Sequence, residues 1–65
     1  MKWDEIKIHW KEFSSALLAR WNRLSEDDLR DAVGKRELLA GKIVERYGVS
    51  WAEAERQIDE WLAGR

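Results

Sequence analysis

The 65-residue sequence has no cysteine and no proline, and it has only one histidine and four glycines. Without cysteine, the chain can form neither a disulfide framework nor a thiolate metal site. Because a small domain without disulfides suits a reducing compartment, we expect a cytoplasmic protein. The sequence also lacks the run of roughly 20 apolar residues that a membrane-spanning helix requires, and its acidic start, MKWDEIK, is unlike a signal peptide.

The positive and negative charges of the chain nearly cancel. Twelve Lys and Arg residues against 13 Asp and Glu residues give a formal net charge of −1. The chain therefore lacks the overall attraction on which nucleic-acid binding usually depends. Its length predicts one domain, residues 1–65, and the five tryptophans can compensate for a small core because each ring buries a large apolar area.

The large apolar residues near the N-terminus recur with helical spacing. Separated by three or four residues, they are Trp3, Ile6, Trp10, Phe13, Leu17, Trp21 and Leu24. This spacing confines them to an arc of about 80° on a helix, so we predict one long helix from about Trp3 or Asp4 to Asn22 with a core-facing stripe. Ile8 lies on the opposite side and Leu18 off the edge; they are either isolated exposed residues or a self-association surface.

Three further helices are predicted from start and stop signals. Ser25 with Asp28, and Ser50 with Glu53, have the spacing of capping boxes. Glycines 34, 48 and 64 mark helix ends, which gives a short helix after Ser25, a second over about 35–47 and a last from residue 50. The expected fold is all-α: a compact domain of four to five short helices, the long first helix packed across the three shorter ones. The core stripe of the last helix is predicted to contain Trp51, Ala54, Ile58, Trp61 and Leu62.

Arg36 lies within the apolar stripe that Leu39, Ile43 and Tyr47 form on the third helix. A lone buried charge is very costly, so the guanidinium must reach water or a carboxylate. We hypothesise that Arg36 ties its helix to the preceding short one through the acids of the segment Glu26–Asp31.

Few residues are suited to catalysis. Glu5, His9 and Glu12 share a helix face and form either a divalent-metal site or a solvated polar face, and we prefer the latter because one helix offers too few ligands. Ser25 and Ser50 are explained as helix caps, and no Ser-His-Asp arrangement is indicated. We therefore predict a non-enzyme with no catalytic residue, metal, cofactor or small-molecule substrate.

A basic segment after Gly34 is the strongest candidate for phosphate binding, since free N–H groups and a positive helix dipole would meet cations there. The candidate contacts are Lys35, Arg36, Lys42 and Arg46. Glu37 and Glu45 interrupt this surface, and no exposed aromatic residue is evident beside it for base stacking. The preferred interpretation is a helix whose cations form ion pairs with neighbouring acids.

Five segments in one ungapped register cover nearly the whole chain: WDEI at Trp3–Ile6, WKEF at Trp10–Phe13, WNRLSEDDL at Trp21–Leu29, GKRELLAGKIVERYG at Gly34–Gly48 and AERQIDEW at Ala54–Trp61. In these segments the chain resembles the CsbD-like family of small bacterial general stress-response proteins. The resemblance implies a cytoplasmic protein of undetermined biochemical activity. It also implies a four- to five-helix fold similar to the SAM-domain-like arrangement of two orthogonal α-hairpins, and it carries over no catalytic residue.

Two functions remain open. In the first, the chain is a non-enzymatic stress-associated protein that acts through contacts with an unknown protein partner or through self-association. Ile8, Leu18 and Trp51 favour it, because they are more apolar than the family pattern at their positions. The alternative is a weak nucleic-acid-binding protein that uses the four cations, with an affinity that falls steeply with salt. We expect no membrane contact.

Overall fold

The helical patterns of the sequence become five α-helices in the computed structural model, which describes residues 3–64. They are α1 Trp3–Ile8, α2 Trp10–Arg20, α3 Glu26–Ala32, α4 Arg36–Tyr47 and α5 Trp51–Ala63. The described residues contain no strand, and the predicted all-α fold is confirmed. α4 packs against both α3 and α5, and α2 packs against α1 and α3. Residues 1, 2 and 65 of the predicted domain lie outside the described residues.

The long first helix was predicted as continuous, and this detail is wrong, because the structure interrupts it at His9. That residue has φ −105° and ψ 35°, outside the helical region. The hydrogen-bond pattern nevertheless continues past it, since the His9 N–H donates to the Glu5 carbonyl at 3.1 Å and the His9 carbonyl accepts from Phe13 at 3.0 Å. The helix also ends at Arg20 rather than Asn22, because the backbone of Trp21, φ −119° and ψ 76°, is outside the helical region.

Two indole N–H groups, one on either side of His9, explain the interruption, because each is held by a different part of the fold. The Trp3 indole donates to the Gly34 carbonyl at 2.9 Å, and the Trp10 indole donates to the Leu29 carbonyl at 2.8 Å. The two rings also meet edge to face, with centroids 5.8 Å apart. These tertiary contacts fix α1 and α2 separately and outweigh the local preference for one straight helix.

The predicted stripe of the N-terminal helices faces the core, since all seven of its residues are buried or half-buried. Helices α2 to α5 and the α2–α3 turn contribute to one buried cluster, whose members are Leu17, Trp21, Leu24, Leu29, Ala32, Leu39, Ala40, Ile43, Ala54 and Ile58. Burial of each large aliphatic side chain contributes about 1.5–3 kcal/mol. Trp51 is an exception to the predicted stripe of α5, because half of its surface is exposed. It lies at the first position of α5, where its ring covers Gly41 of α4.

The predicted helix caps are largely confirmed. The Ser25 hydroxyl accepts from the Asp28 N–H and the Asp28 carboxylate accepts from the Ser25 N–H, both at 3.1 Å, which completes the capping box of α3. The Ser50 hydroxyl accepts from the Glu53 N–H at 3.1 Å. The second half of the capping box predicted for α5 does not form, because the Glu53 carboxylate binds Arg56 at 2.6 Å, one turn further along the helix.

The junction between α3 and α4 differs from the prediction that Gly34 ends the short helix. Val33 is the C-cap, with the left-handed values φ 46° and ψ 45°, and Gly34 follows with φ 75°. A Cβ atom at Gly34 would lie 3.0 Å from Cγ and 3.4 Å from Cα of Lys7. Gly34 is therefore required both by its backbone conformation and by the close approach of α1.

Candidate functional site

A buried carboxylate lies where α3 meets α4. Asp28 is 3% exposed, and the Arg46 guanidinium donates to its two oxygens at 3.0 and 3.1 Å. The Lys42 ammonium lies 3.8 Å from the same carboxylate and 3.6 Å from that of Asp31. The hydrogen bond from Arg46 holds the pKa of Asp28 below its usual value, against burial, which would raise it. These contacts join α3 to α4. They keep the Asp28 carboxylate ionised, and they supply the hydrogen bonds that a buried carboxylate needs.

Arg36 joins helices as hypothesised, but its partners lie on α5 rather than in the segment Glu26–Asp31. Its Nε donates to the Glu55 carboxylate at 3.0 Å, and its Nη2 donates to the Asp59 carboxylate at 2.6 Å. Burial disfavours the charged guanidinium, yet the hydrogen bonds to Asp59 and Glu55 outweigh it and raise the pKa of Arg36. The partners differ from those predicted because α3 ends one turn before Arg36, whereas α5 runs beside it.

Three of the four candidate phosphate contacts therefore take part in ion pairs between helices. The fourth, Lys35, is an exposed N-cap residue whose side chain has no carboxylate partner among residues 3–64. The structure does not assemble the four cations into a free basic edge. The proposed phosphate contact at these positions stays a prediction.

Cations without a carboxylate partner in the described residues lie mainly on the N-terminal half. They are Lys7, Lys11, Arg20, Arg23 and Lys35. The Arg20 guanidinium lies 4.9 Å from the Trp21 ring centroid, and the Arg23 guanidinium lies 5.8 Å from that of Tyr47. The interpretation of the sequence missed both cation–π contacts. The contact of Arg23 with Tyr47 forms only when α4 lies beside the turn between α2 and α3.

An open groove of about 480 Å³ runs between α2 and α3. Its apolar floor is formed by Trp10, Leu18 and Leu29, and its rim includes Lys11 and Arg30. Glu26, Ser14 and Ser15 complete the lining, and the Ser14 hydroxyl donates to the Trp10 carbonyl at 2.9 Å. An apolar floor with a few charged groups at its edge is typical of a recognition surface.

A second groove, of about 530 Å³, lies where α1 crosses the start of α4. Its walls carry Asp4 and Glu37 as well as Lys7 and Lys35, so charges of both signs alternate along it. Arg36 also lines this groove, but its guanidinium is bound to α5. This mixture does not distinguish an anionic ligand from a cationic one.

Glu5, His9 and Glu12 were considered as an alternative divalent-metal site. Of the three, His9 and Glu12 form an exposed pair. His9 Nδ1 lies 3.3 Å from Glu12 Oε2, with 54% and 77% of the two side chains exposed. Within the described part of the chain, no group of three or more His, Cys, Asp or Glu side chains could hold a metal ion. None of the helices there combines the length and apolar character needed to cross a bilayer.

Large apolar side chains also remain on the surface. The exposed fraction is 75% for Ile8, 63% for Val33, 50% for Trp51 and 45% for Leu38. Ile8 was predicted to lie opposite the core stripe, which is confirmed, and Leu18 packs half-buried against the core cluster.

These features define a small all-α protein whose helices are joined by indole hydrogen bonds and interhelical ion pairs. The chain belongs to the UPF0337 family. It is 41% identical over 61 residues to the UPF0337 protein YjbJ of Escherichia coli O6:H1, a match that covers 94% of this chain and 88% of that protein. It is 39% identical to YjbJ of Salmonella typhimurium, with 94% and 87% covered.

Another relative is longer than this chain. The UPF0337 protein NE2439 of Nitrosomonas europaea is 39% identical over 59 residues, which cover 91% of this chain and 63% of that protein. No family model and no solved structure matches the chain. The SAM-domain-like arrangement of α-hairpins stays a prediction.

Proposed function

We propose that this protein is a non-enzymatic, CsbD-like cytoplasmic protein of the general stress response that acts through protein contacts. Membership of the UPF0337 family supports the CsbD-like part of the proposal. The names of the relatives carry no activity, so the mode of action is argued from the surface of the molecule.

The observation that carries the proposal is the apolar surface around the α2–α3 groove. Its floor contains Trp10 and Leu18, both half-buried. Ile8, one helical turn before the groove, is largely exposed. Apolar side chains left accessible beside a shaped groove favour recognition of another protein, because they gain burial only when a partner covers them.

Four hydroxyl groups, those of Ser14, Ser25, Tyr47 and Ser50, support a non-enzymatic role. The Ser14 hydroxyl donates to a carbonyl of its own helix, and the hydroxyls of Ser25 and Ser50 accept from capped N–H groups. Tyr47 accepts from the Arg23 N–H at 3.1 Å. Groups engaged in this way stabilise helix ends and turns, and they are not poised beside a base as a nucleophile would be.

The nucleic-acid alternative receives less support. Lys42 and Arg46 face the buried Asp28, so binding a phosphate would compete with a carboxylate that is already desolvated. Arg36 is similarly held by Glu55 and Asp59. Only Lys35 of the four candidate contacts is unpaired among the described residues.

Titration of labelled duplex DNA with the purified protein at about 50 and 200 mM salt separates the two functions, because phosphate contacts weaken steeply over this range. The proposal predicts no saturable binding at either concentration. Saturable binding at the lower salt that disappears at the higher salt, and that is weakened by Lys35→Gln, would favour the alternative.

The stress association is tested in cells. Quantitative immunoblots should show more of the protein in stationary or osmotically stressed cultures than in growing ones. Cross-linking in those cells should give discrete protein adducts. Unchanged abundance would contradict the stress role, and turnover of a metabolite by the pure protein would contradict the non-enzymatic role.

A further inference from the structure

Ile8, the most exposed of the large apolar side chains in the described residues, lies about one helical turn before the first groove-lining residues of α2. It precedes Lys11 by three residues and Ser15 by seven, and both of these line the groove. The hydrogen bonds through His9 maintain the helical progression from α1 into α2. Ile8 therefore shares the helix edge that runs along the groove.

The net charges beside Ile8 and beside the groove are opposite in sign. One turn from Ile8 on the helix surface lie three acids, Asp4, Glu5 and Glu12, and one cation, Lys11, so this edge is negative on balance. The groove presents Lys11, which has no carboxylate partner in residues 3–64, and Arg30. Arg30 is paired only with Asp27 at 3.2 Å, and both side chains are largely exposed.

Among the described residues, Glu26 is the one acid that lines the groove, and the two cations outnumber it. An occupant that fits this groove therefore carries an apolar side chain with acids one turn to either side on a helix. The edge of α1 and α2 around Ile8 has that pattern.

We propose that a second copy of the chain occupies the groove, with the α1–α2 edges of the two copies antiparallel about a two-fold axis. Ile8 of each copy covers Ser15 and Leu18 of the other, and Glu12 of each copy faces Lys11 of the other. The proposal rests on the proposed action through protein contacts, and it names a second copy of this chain as the partner.

A two-fold axis follows from the positions of the two complementary features. Ile8 and the groove lie on one surface, on either side of Lys11 and Glu12, so one rotation places each Ile8 in the other groove. A contact limited to one helix edge and a shallow groove belongs to the class of small interfaces, which bury less than about 600 Å² per partner and are weak. We therefore expect the dimer to form only at high protein concentration.

Sedimentation equilibrium between about 10 μM and 1 mM, a range set by millimolar to micromolar dissociation constants, tests the proposal on the full chain. The wild-type protein should shift from monomer to dimer. Ile8→Lys should weaken association by at least about tenfold, since it places a cation beside Lys11 and Arg30. Leu38→Lys is the matched control, because Leu38 is exposed on α4 and away from this groove; it should dimerise as wild type.

Charge reversal tests the pairing across the axis. Lys11→Glu and Glu12→Lys should each weaken the dimer, since each places like charges opposite one another. The double variant restores opposite charges and should recover most of the wild-type association. Circular dichroism of every variant confirms that the exposed substitutions leave the fold intact.

A wild-type protein that stays monomeric at the highest concentration overturns the proposal. Equal dimerisation of Ile8→Lys and wild type overturns it too, because another surface would then be responsible. A monomer whose groove resonances shift with an acidic amphipathic peptide assigns the groove to a different protein. That last result would leave the proposed action through protein contacts standing while removing the second copy as partner.

Discussion

Arg46 binds both carboxylate oxygens of Asp28, although Arg46 is half exposed and Asp28 is almost wholly buried. The same carboxylate closes the capping box of α3 by accepting from the Ser25 N–H. One side chain thus stabilises the start of α3 and the packing of α3 on α4. Both roles depend on the negative charge of Asp28. Among the acids, we therefore expect replacement of Asp28 by the amide to reduce the free energy of unfolding most.

Asp28→Asn should lower the free energy of unfolding by about 2 kcal/mol, since charge-assisted hydrogen bonds are lost while the group stays buried. For a domain of this size, the melting temperature should fall by about 10 °C. Asp31→Asn is the matched control: the Asp31 side chain is 69% exposed and its one ion pair within residues 3–64 is with Lys42, so its loss should cost about 0.5 kcal/mol or less. Equal melting temperatures for the two variants would show that the buried pair adds nothing.

The stability of the protein should fall on acidification. The pKa of Asp28 is lowered in the folded state by Arg46, so the unfolded state binds more protons in this range and stability rises with pH. The contribution is fully present above about pH 4, the unfolded value, and is lost as the pH falls through the lower folded value.

Thermal melts at a series of pH values check this dependence. In Asp28→Asn, the melting temperature should fall less steeply on acidification than in the wild type. Some acid dependence should remain, because the pKa of Glu53 is also lowered, to about 2, by its hydrogen bonds with Arg56 and Gln57. If Asp28→Asn lost stability on acidification as steeply as the wild type, other carboxylates would be responsible for the pH dependence.

Features set by neighbours in sequence were predictable. The spacing of the tryptophans fixed which side of α1 and α2 faces the core, and Ser25 and Ser50 fixed where α3 and α5 begin. In each case the partner groups lie within a few residues, so local geometry determines the result.

Features set by packing were not predictable. Nothing local distinguishes His9 as the interruption, since it follows from where Gly34 and Leu29 accept from two indoles. Likewise the charge of Arg36 predicted a carboxylate partner, but the choice of Glu55 over the acids of α3 depends on which helix lies beside it. The ion pairs of the candidate site could not be predicted for the same reason, because Lys42 and Arg46 meet Asp28 only when α3 and α4 are packed together.

Gly34→Ala should destabilise the fold more than Gly48→Ala. Both glycines have positive φ, 75° and 64°. Alanine in this left-handed conformation should therefore reduce the free energy of unfolding of both variants by about 1 kcal/mol. Only at Gly34 would the new Cβ meet Lys7, 3.0 Å from its Cγ, whereas nothing lies within 4 Å at Gly48. The crowding should add about 1 kcal/mol, measured by urea unfolding. Equal losses would indicate that α1 moves away freely.

Val33 is the one described residue other than glycine with positive φ, and its side chain is 63% exposed. A β-branched residue is strained in this conformation, which asparagine tolerates better. Val33→Asn should therefore raise the free energy of unfolding by about 0.5–1 kcal/mol, measured by urea unfolding. Val33→Ala is the control, because it removes the same exposed methyl groups without asparagine's tolerance of the left-handed region, and it should stabilise less. A loss of stability in Val33→Asn would mean that the packing of the valine contributes more than its backbone strain costs.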